Sequence, residues 1–173
     1  MANEVHRNSV VQPLFGSGLS KLGYRRMKVQ HSVIINRPIE QVFAFVTNLE
    51  NELRWQPEIE AIQLDSDGPM GVGTTFREAR RTFGRRYEWH FEVTQFEPNK
   101  IFCIQTLSGT IPYRGCRLFE PASGGTKVTE LGELQTTGFL KLLDPLMARL
   151  SRKPLKVAYD NLKSLLEAQA VTE

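Results

Sequence analysis

Apolar and polar positions in this chain follow two periods, and the switches between them predict the order of its elements. From Val29 to Asn36 the run VQHSVIIN is short and β-branched, as a strand requires. Pro38 then suits a first helical turn, with Glu40 at its positive end. Ile39, Val42, Phe43, Phe45 and Val46 follow at helical spacing, so a helix is expected to stop near Asn48. A second short helical piece is expected over Asn51–Trp55, before Pro57 ends it.

Strand signals separated by turn residues come next. Ile59–Leu64, Thr74–Thr82, Arg85–Phe96, Ile101–Ser108, Ile111–Phe119 and Thr126–Gln135 each read as strands. The turns between the last five are Phe83-Gly84, Pro98-Asn99, Gly109-Thr110 and Ser123-Gly-Gly. Links this tight make antiparallel neighbours. The chain then returns to helical spacing. Asp144-Pro145 reads as an N-cap and first helical position, and Leu146, Met147, Leu150, Val157, Leu162, Leu165 and Leu166 supply an apolar stripe. Pro154 is expected to kink or interrupt that helix.

Residues 1–26 show neither period and are expected to form a tail or arm, with residues 27–173 as the folded domain. At 173 residues, 40% apolar and 24% charged, the composition is that of an ordinary globular domain. The net charge of +3 is mild, and the basic residues are mostly interspersed with acidic ones, so no nucleic-acid partner is expected. Two cysteines without a CxxC and three scattered histidines imply no zinc site, no other metal and no cofactor. No apolar run approaches a membrane span, and the N-terminus lacks a signal-peptide pattern. A cytoplasmic, reducing location is therefore expected, with both cysteines as thiols.

One strand, two helical pieces, a long meander and a final helix is an unusual order. It is carried here by Ile35-Asn-Arg-Pro38 with Val42-Phe43, Trp55-Gln-Pro57, Gly71-Val-Gly-Thr74, Val93-Thr-Gln-Phe-Glu-Pro98, Ser108-Gly109, Tyr113-Arg-Gly115, Gly124-Gly-Thr126 and Asn161-Leu-Lys through Leu166. On these residues the sequence resembles the START-like (helix-grip, SRPBCC) superfamily, in its polyketide cyclase/dehydrase and lipid-transport branch, over residues 29–168. The resemblance implies an α+β fold. A curved seven-stranded antiparallel sheet would wrap around the long C-terminal helix, with two short helices after the first strand and a cavity between sheet and helix. It also implies a hydrophobic small-molecule ligand and, in some members, cyclase or dehydrase activity.

Hairpin register sharpens this picture, because opposed residues in a tight hairpin keep a constant index sum. A Phe83-Gly84 loop sets Glu78 opposite Trp89, Arg80 opposite Tyr87 and Phe76 opposite Phe91. A Gly109-Thr110 loop sets Tyr113 opposite Thr106 and Arg117 opposite Phe102, and makes Cys103 and Cys116 neighbours. A last loop of Pro121 to Thr126 sets Arg117 opposite Glu130 and Gly115 opposite Gly132. A four-residue loop, Glu97 to Lys100, sets Val93 opposite Ile104. One face then carries the aromatics with Glu78, Arg80, Arg117 and Glu130, and Gly115 and Gly132 leave room there for a helix or ligand. The other face carries Glu88, His90, Glu92, Arg114 and Glu133, with Ile101, Leu107, Leu118 and Leu131 blurring the division.

The expected ligand contacts are Phe76, Glu78, Trp89, Phe91, Tyr113, Arg117 and Glu130 on the sheet, with Trp55 and Met147 from the helices. Two function classes follow. One is binding or transport of a lipid-like or aromatic molecule. The other is an aldol-type cyclisation or dehydration, with Glu78 as base and Arg117 beside the developing oxyanion. The final helix also carries Lys141, Arg149, Arg152, Lys153 and Lys156, a pattern compatible with weak membrane-surface contact but no stable insertion. Packing against the sheet explains its apolar stripe more simply.

Overall fold

A computed structural model describes residues 25–82, 84–109, 111–136 and 144–168. The expected arm, apart from Arg25 and Arg26, and the turn residues Phe83 and Thr110 lie outside the described residues. Strand β1 (Arg25–Ile35) starts four residues before the β-branched run. Helix α1 (Ile39–Thr47) follows, and the Pro38 carbonyl accepts its first backbone bonds from Gln41 and Val42, at 3.1 Å each. A 3₁₀ turn (Leu49–Asn51) leads into the single turn of α2 (Glu52–Trp55). Strands β2 (Ile59–Leu64), β3 (Thr75–Thr82), β4 (Arg85–Glu97), β5 (Ile101–Gly109), β6 (Tyr113–Ala122) and β7 (Gly125–Thr136) form the meander. Helix α3 (Asp144–Ala168) closes the described chain and runs through Pro154 without interruption.

All seven strands join one antiparallel sheet in the order β1-β7-β6-β5-β4-β3-β2. First and last strands are partners, so α1 and α2 carry the chain from one edge of the sheet to the other. The end of α3 is fastened to the β1–α1 turn: Arg37 Nε donates to the Leu166 carbonyl at 2.7 Å, and the Asn36 amide donates to Glu167 at 2.8 Å. Helix, sheet and short helices enclose one apolar core containing Ile35, Val42, Phe43, Val46, Phe76, Val93, Phe102, Val128 and Leu162.

The hairpin arithmetic holds for β3–β4, β5–β6 and β6–β7. The last loop is shorter than expected, because Pro121 pairs with Thr126 and Ala122 with Gly125. At β4–β5 two departures cancel: the loop spans Pro98–Lys100, since Glu97 pairs with Ile101, and Thr94 forms a bulge that restores Val93 opposite Ile104. The bulge also reverses the end of β4. Phe96 thereby turns inward to pack edge-on against Phe43 and Phe102.

Three further expectations are corrected. Val157 is 40% exposed, and Tyr159 occupies the inward position instead, because Leu155, Tyr159, Leu162 and Leu166 keep the 3.6-residue period. Cys103 and Cys116 do oppose each other, but the sulfurs are bonded rather than free: Cα atoms 4.1 Å apart on one face bring the two Sγ together. They join Ile101 and Leu118 in a small apolar cluster on the outer face, which explains the unclean division there. Finally, the space at Gly115 and Gly132 is taken by the ring of Tyr113. A Cβ on Gly115 would come within 2.7 Å of that ring, and one on Gly132 within 2.7 Å of Val29.

Candidate functional site

A cavity of about 420 Å³ lies between the sheet and α3. Alternation along β4 aims Tyr87, Trp89 and Phe91 into it, and Ile104 of β5 and Leu134 of β7 continue the wall. Met27 and Val29 enter from β1, Trp55 from α2, and Leu155, Ala158 and Tyr159 from α3. Trp89 is held in place by its indole N–H, which donates to the Ile111 carbonyl at 3.2 Å. The walls are therefore aromatic and largely preformed, as small-molecule sites usually are.

The floor is a continuous polar chain drawn from five elements. Arg117 Nε donates to Glu130 Oε2 at 3.1 Å, and Arg117 Nη1 to Glu52 Oε1. Gln56 Nε2 donates to the other Glu52 oxygen at 2.7 Å. Arg80 Nη2 donates to Gln56 Oε1 at 3.1 Å, and Arg80 Nε to Glu78 Oε1. At the far end Tyr159 and Tyr113 donate their hydroxyls to Glu130, at 2.6 and 2.9 Å. The Arg117 guanidinium also lies over the Trp55 ring, 5.2 Å from its centroid. Tyr113 reaches Glu130 because its ring lies back over the Gly115–Gly132 pair, so those glycines serve the network rather than a ligand.

Three buried carboxylates, Glu52, Glu78 and Glu130, thus face two guanidiniums, Arg80 and Arg117. Burial raises the Glu52 pKa above its ordinary value; Arg117 opposes the rise and Glu78 adds to it. Burial alone would depress both arginines, but their carboxylate neighbours outweigh it and hold them charged. Burial, reinforced by Glu130, keeps the Tyr113 and Tyr159 hydroxyls protonated far above their ordinary range. Glu58, half-buried at the cavity wall, is likewise shifted upward by burial, with Arg80 opposing.

Of the residues expected at the ligand, Trp55, Glu78, Trp89, Phe91, Tyr113, Arg117 and Glu130 line the cavity. Phe76 does not: it is 1% exposed in the core and packs on Phe91, which does line the space. Met147 falls within α3, but its side chain lies outside the described residues. His90 points away, near Asp65. The sequence reading overlooked Glu52, Gln56, Glu58 and Tyr159. A signal existed for three of them. Tyr159 shares the spacing of Leu155 and Leu162, and Glu52 and Gln56 stand four apart around Trp55.

The family model for polyketide cyclase / dehydrase and lipid transport proteins matches residues 26–167. The chain belongs to this family. Its fold is the START-like helix-grip fold, shared with solved structures at low identity. A Thermus thermophilus protein is 21% identical, with a TM-score of 0.72 over 82% of this chain and 98% of that one. The ZhuI aromatase/cyclase of a Streptomyces species is 10% identical, with a TM-score of 0.72 over 84% and 96%. The di-domain aromatase/cyclase StfQ of the steffimycin biosynthetic pathway is 10% identical, with a TM-score of 0.70 over 84% of this chain and 52% of that one. Comparison with curated protein sequences returns no match. Among the described residues no helix is long and apolar enough to cross a membrane.

Proposed function

We propose that this protein binds a lipid-like or aromatic small molecule in the cavity between sheet and α3. The observation that carries this reading is the cavity itself: about 420 Å³, walled by Tyr87, Trp89, Phe91, Trp55 and Leu155 over a polar floor whose bonds are already made. A preformed apolar space of that size lets a ligand exchange water contact for aromatic contact without reorganising the protein. The test is titration with the neutral probe N-phenyl-1-naphthylamine, reading probe enhancement and tryptophan quenching. Saturable binding that Leu155→Trp abolishes, with the fold intact, supports the reading. Binding unchanged by that substitution would remove the cavity from it.

A second reading, catalysis of an aldol-type cyclisation or dehydration, is supported by Glu58. Glu78 is a poor base here, since Arg80 holds one of its oxygens, and Arg117 is already bonded to two carboxylates. Glu58 lines the cavity, and burial raises its pKa above the ordinary carboxylate value, which makes it a stronger base than an exposed carboxylate. In this reading Glu58 takes the α-proton of a poly-β-ketone held against the aromatic wall. Glu58→Gln should then abolish turnover of such a substrate while probe binding persists; unchanged turnover removes Glu58.

The cytoplasmic placement also belongs to this proposal. A reducing compartment would return Cys103 and Cys116 to thiols, which alkylation of the protein in intact cells reads directly.

A further inference from the structure

The cavity lining holds more carboxyl groups than guanidiniums, which bears on what can enter it. Three of its lining side chains are carboxylates (Glu58, Glu78 and Glu130) and two are guanidiniums (Arg80 and Arg117). A fourth carboxylate, Glu52, stands behind Arg117, and its hydrogen bonds go to Arg117 and Gln56. Arg80 is therefore matched by one acid in direct contact and Arg117 by two. The described residues add no lysine to this lining, and the exposed Lys28, Arg152, Lys153 and Lys156 belong to the outer surface.

Geometry separates the committed acceptors from the open ones. Glu130 accepts from Arg117, Tyr113 and Tyr159, so its oxygens are engaged. Glu78 accepts from Arg80 through one oxygen. Glu58 stands half-buried at the wall, close enough to Arg80 to feel its charge. Around them stand the π faces of Trp55, Tyr87, Trp89 and Phe91, which attract cations and repel anions.

We infer that the cavity selects apolar molecules whose polar end donates hydrogen bonds, an amine or a hydroxyl, and rejects those ending in a carboxylate. Glu58 is the specificity-determining residue of this selection. The inference rests on the binding reading above and gives it a chemical class. An entering carboxylate would be desolvated beside Glu58 and Glu78, and neither Arg80 nor Arg117 is free of a carboxylate partner to receive it. An ammonium or hydroxyl meets an acceptor in Glu58 and aromatic faces beside it.

The experiment compares decylamine, decanol and decanoate, three ligands with like tails and different heads, as competitors of N-phenyl-1-naphthylamine. It is run on the full chain at near-neutral pH and about 150 mM salt, so that the exposed basic residues are largely screened. The wild-type protein should bind decylamine and decanol at least about tenfold more tightly than decanoate, the scale of one unscreened charge at close range. Glu58→Gln should narrow that ratio several-fold, mainly by admitting decanoate; Glu88→Gln, on the exposed outer face, should leave it unchanged. Decanoate bound as tightly as decylamine would overturn the inference while leaving the binding reading standing. An unaltered ratio in Glu58→Gln would overturn the role of Glu58. Displacement of the bound probe by none of the three would overturn the inference alone, whereas no saturable binding of the probe itself would overturn the binding reading with it.

Discussion

Arg117→Met gives the sharpest test of how the floor of the cavity is held. Arg117 is 7% exposed, bonded to Glu52 on α2 and Glu130 on β7, and stacked over Trp55, so it joins three elements. Methionine fills much of its volume but leaves Glu52 and Glu130 buried with no opposing charge between them. Breaking a buried ion pair from one side costs about 3–5 kcal/mol. For a domain of this size each kcal/mol lowers the Tm by about 2–4 °C, so a fall of roughly 6–20 °C is expected. Thermal unfolding followed by tryptophan fluorescence measures the fall in Tm, and urea denaturation the free-energy deficit, since Trp55 and Trp89 both line the cavity.

The deficit should also depend on pH, with a definite sign. The Glu52 pKa in the folded protein lies above its ordinary value. The folded state therefore holds a proton that the unfolded chain releases, and stability falls as pH rises through that window. Arg117 opposes the shift, so its loss widens the window, and the Arg117→Met deficit should be larger at about pH 8 than at about pH 5. Adding Glu52→Gln to Arg117→Met should restore at least about 1 kcal/mol, because one uncompensated carboxylate is gone. A single variant within about 1 kcal/mol of wild type, or a deficit that grows on acidification, would refute the buried-charge account.

Other consequences are more local. Gly115→Ala should displace the Tyr113 ring from Glu130 and cost about 1–3 kcal/mol, read as a shifted urea midpoint; an unshifted midpoint would show that the ring yields freely. Tyr159→Phe removes the 2.6 Å bond to Glu130 and should cost about 1.5–3 kcal/mol, the range for bonds to charged groups. Dithiothreitol should lower the Tm by opening the Cys103–Cys116 bond, with a loss of no more than about 3 kcal/mol for the short loop it closes. Probe affinity should be unaffected, since both cysteines lie on the outer face; a large loss of binding on reduction would contradict that separation.

Much of this protein was legible before any coordinates, because local periods and tight turns are properties of short segments. The β-branched runs, Pro38, and the Phe83-Gly84 and Gly109-Thr110 turns determined the strands, the first helix and most of the register. Register in turn determined that Glu78, Trp89, Arg117 and Glu130 share a face. What the sequence could not decide were the contacts between elements distant along the chain. A bulge at Thr94 turns Phe96 inward, and no local signal marks it. Tyr159 reaches Glu130 from α3, and Glu52 reaches Arg117 from α2, across gaps that only tertiary packing closes. Those contacts change the chemistry. On the sheet alone Glu78 and an Arg117–Glu130 pair read as a base and an anion clamp. In the folded protein they belong to a bonded network, which leaves Glu58 as the acid open to the cavity. Spacing along a chain determines which face a charge takes, but its partners, and so its reactivity, are decided where separate elements meet.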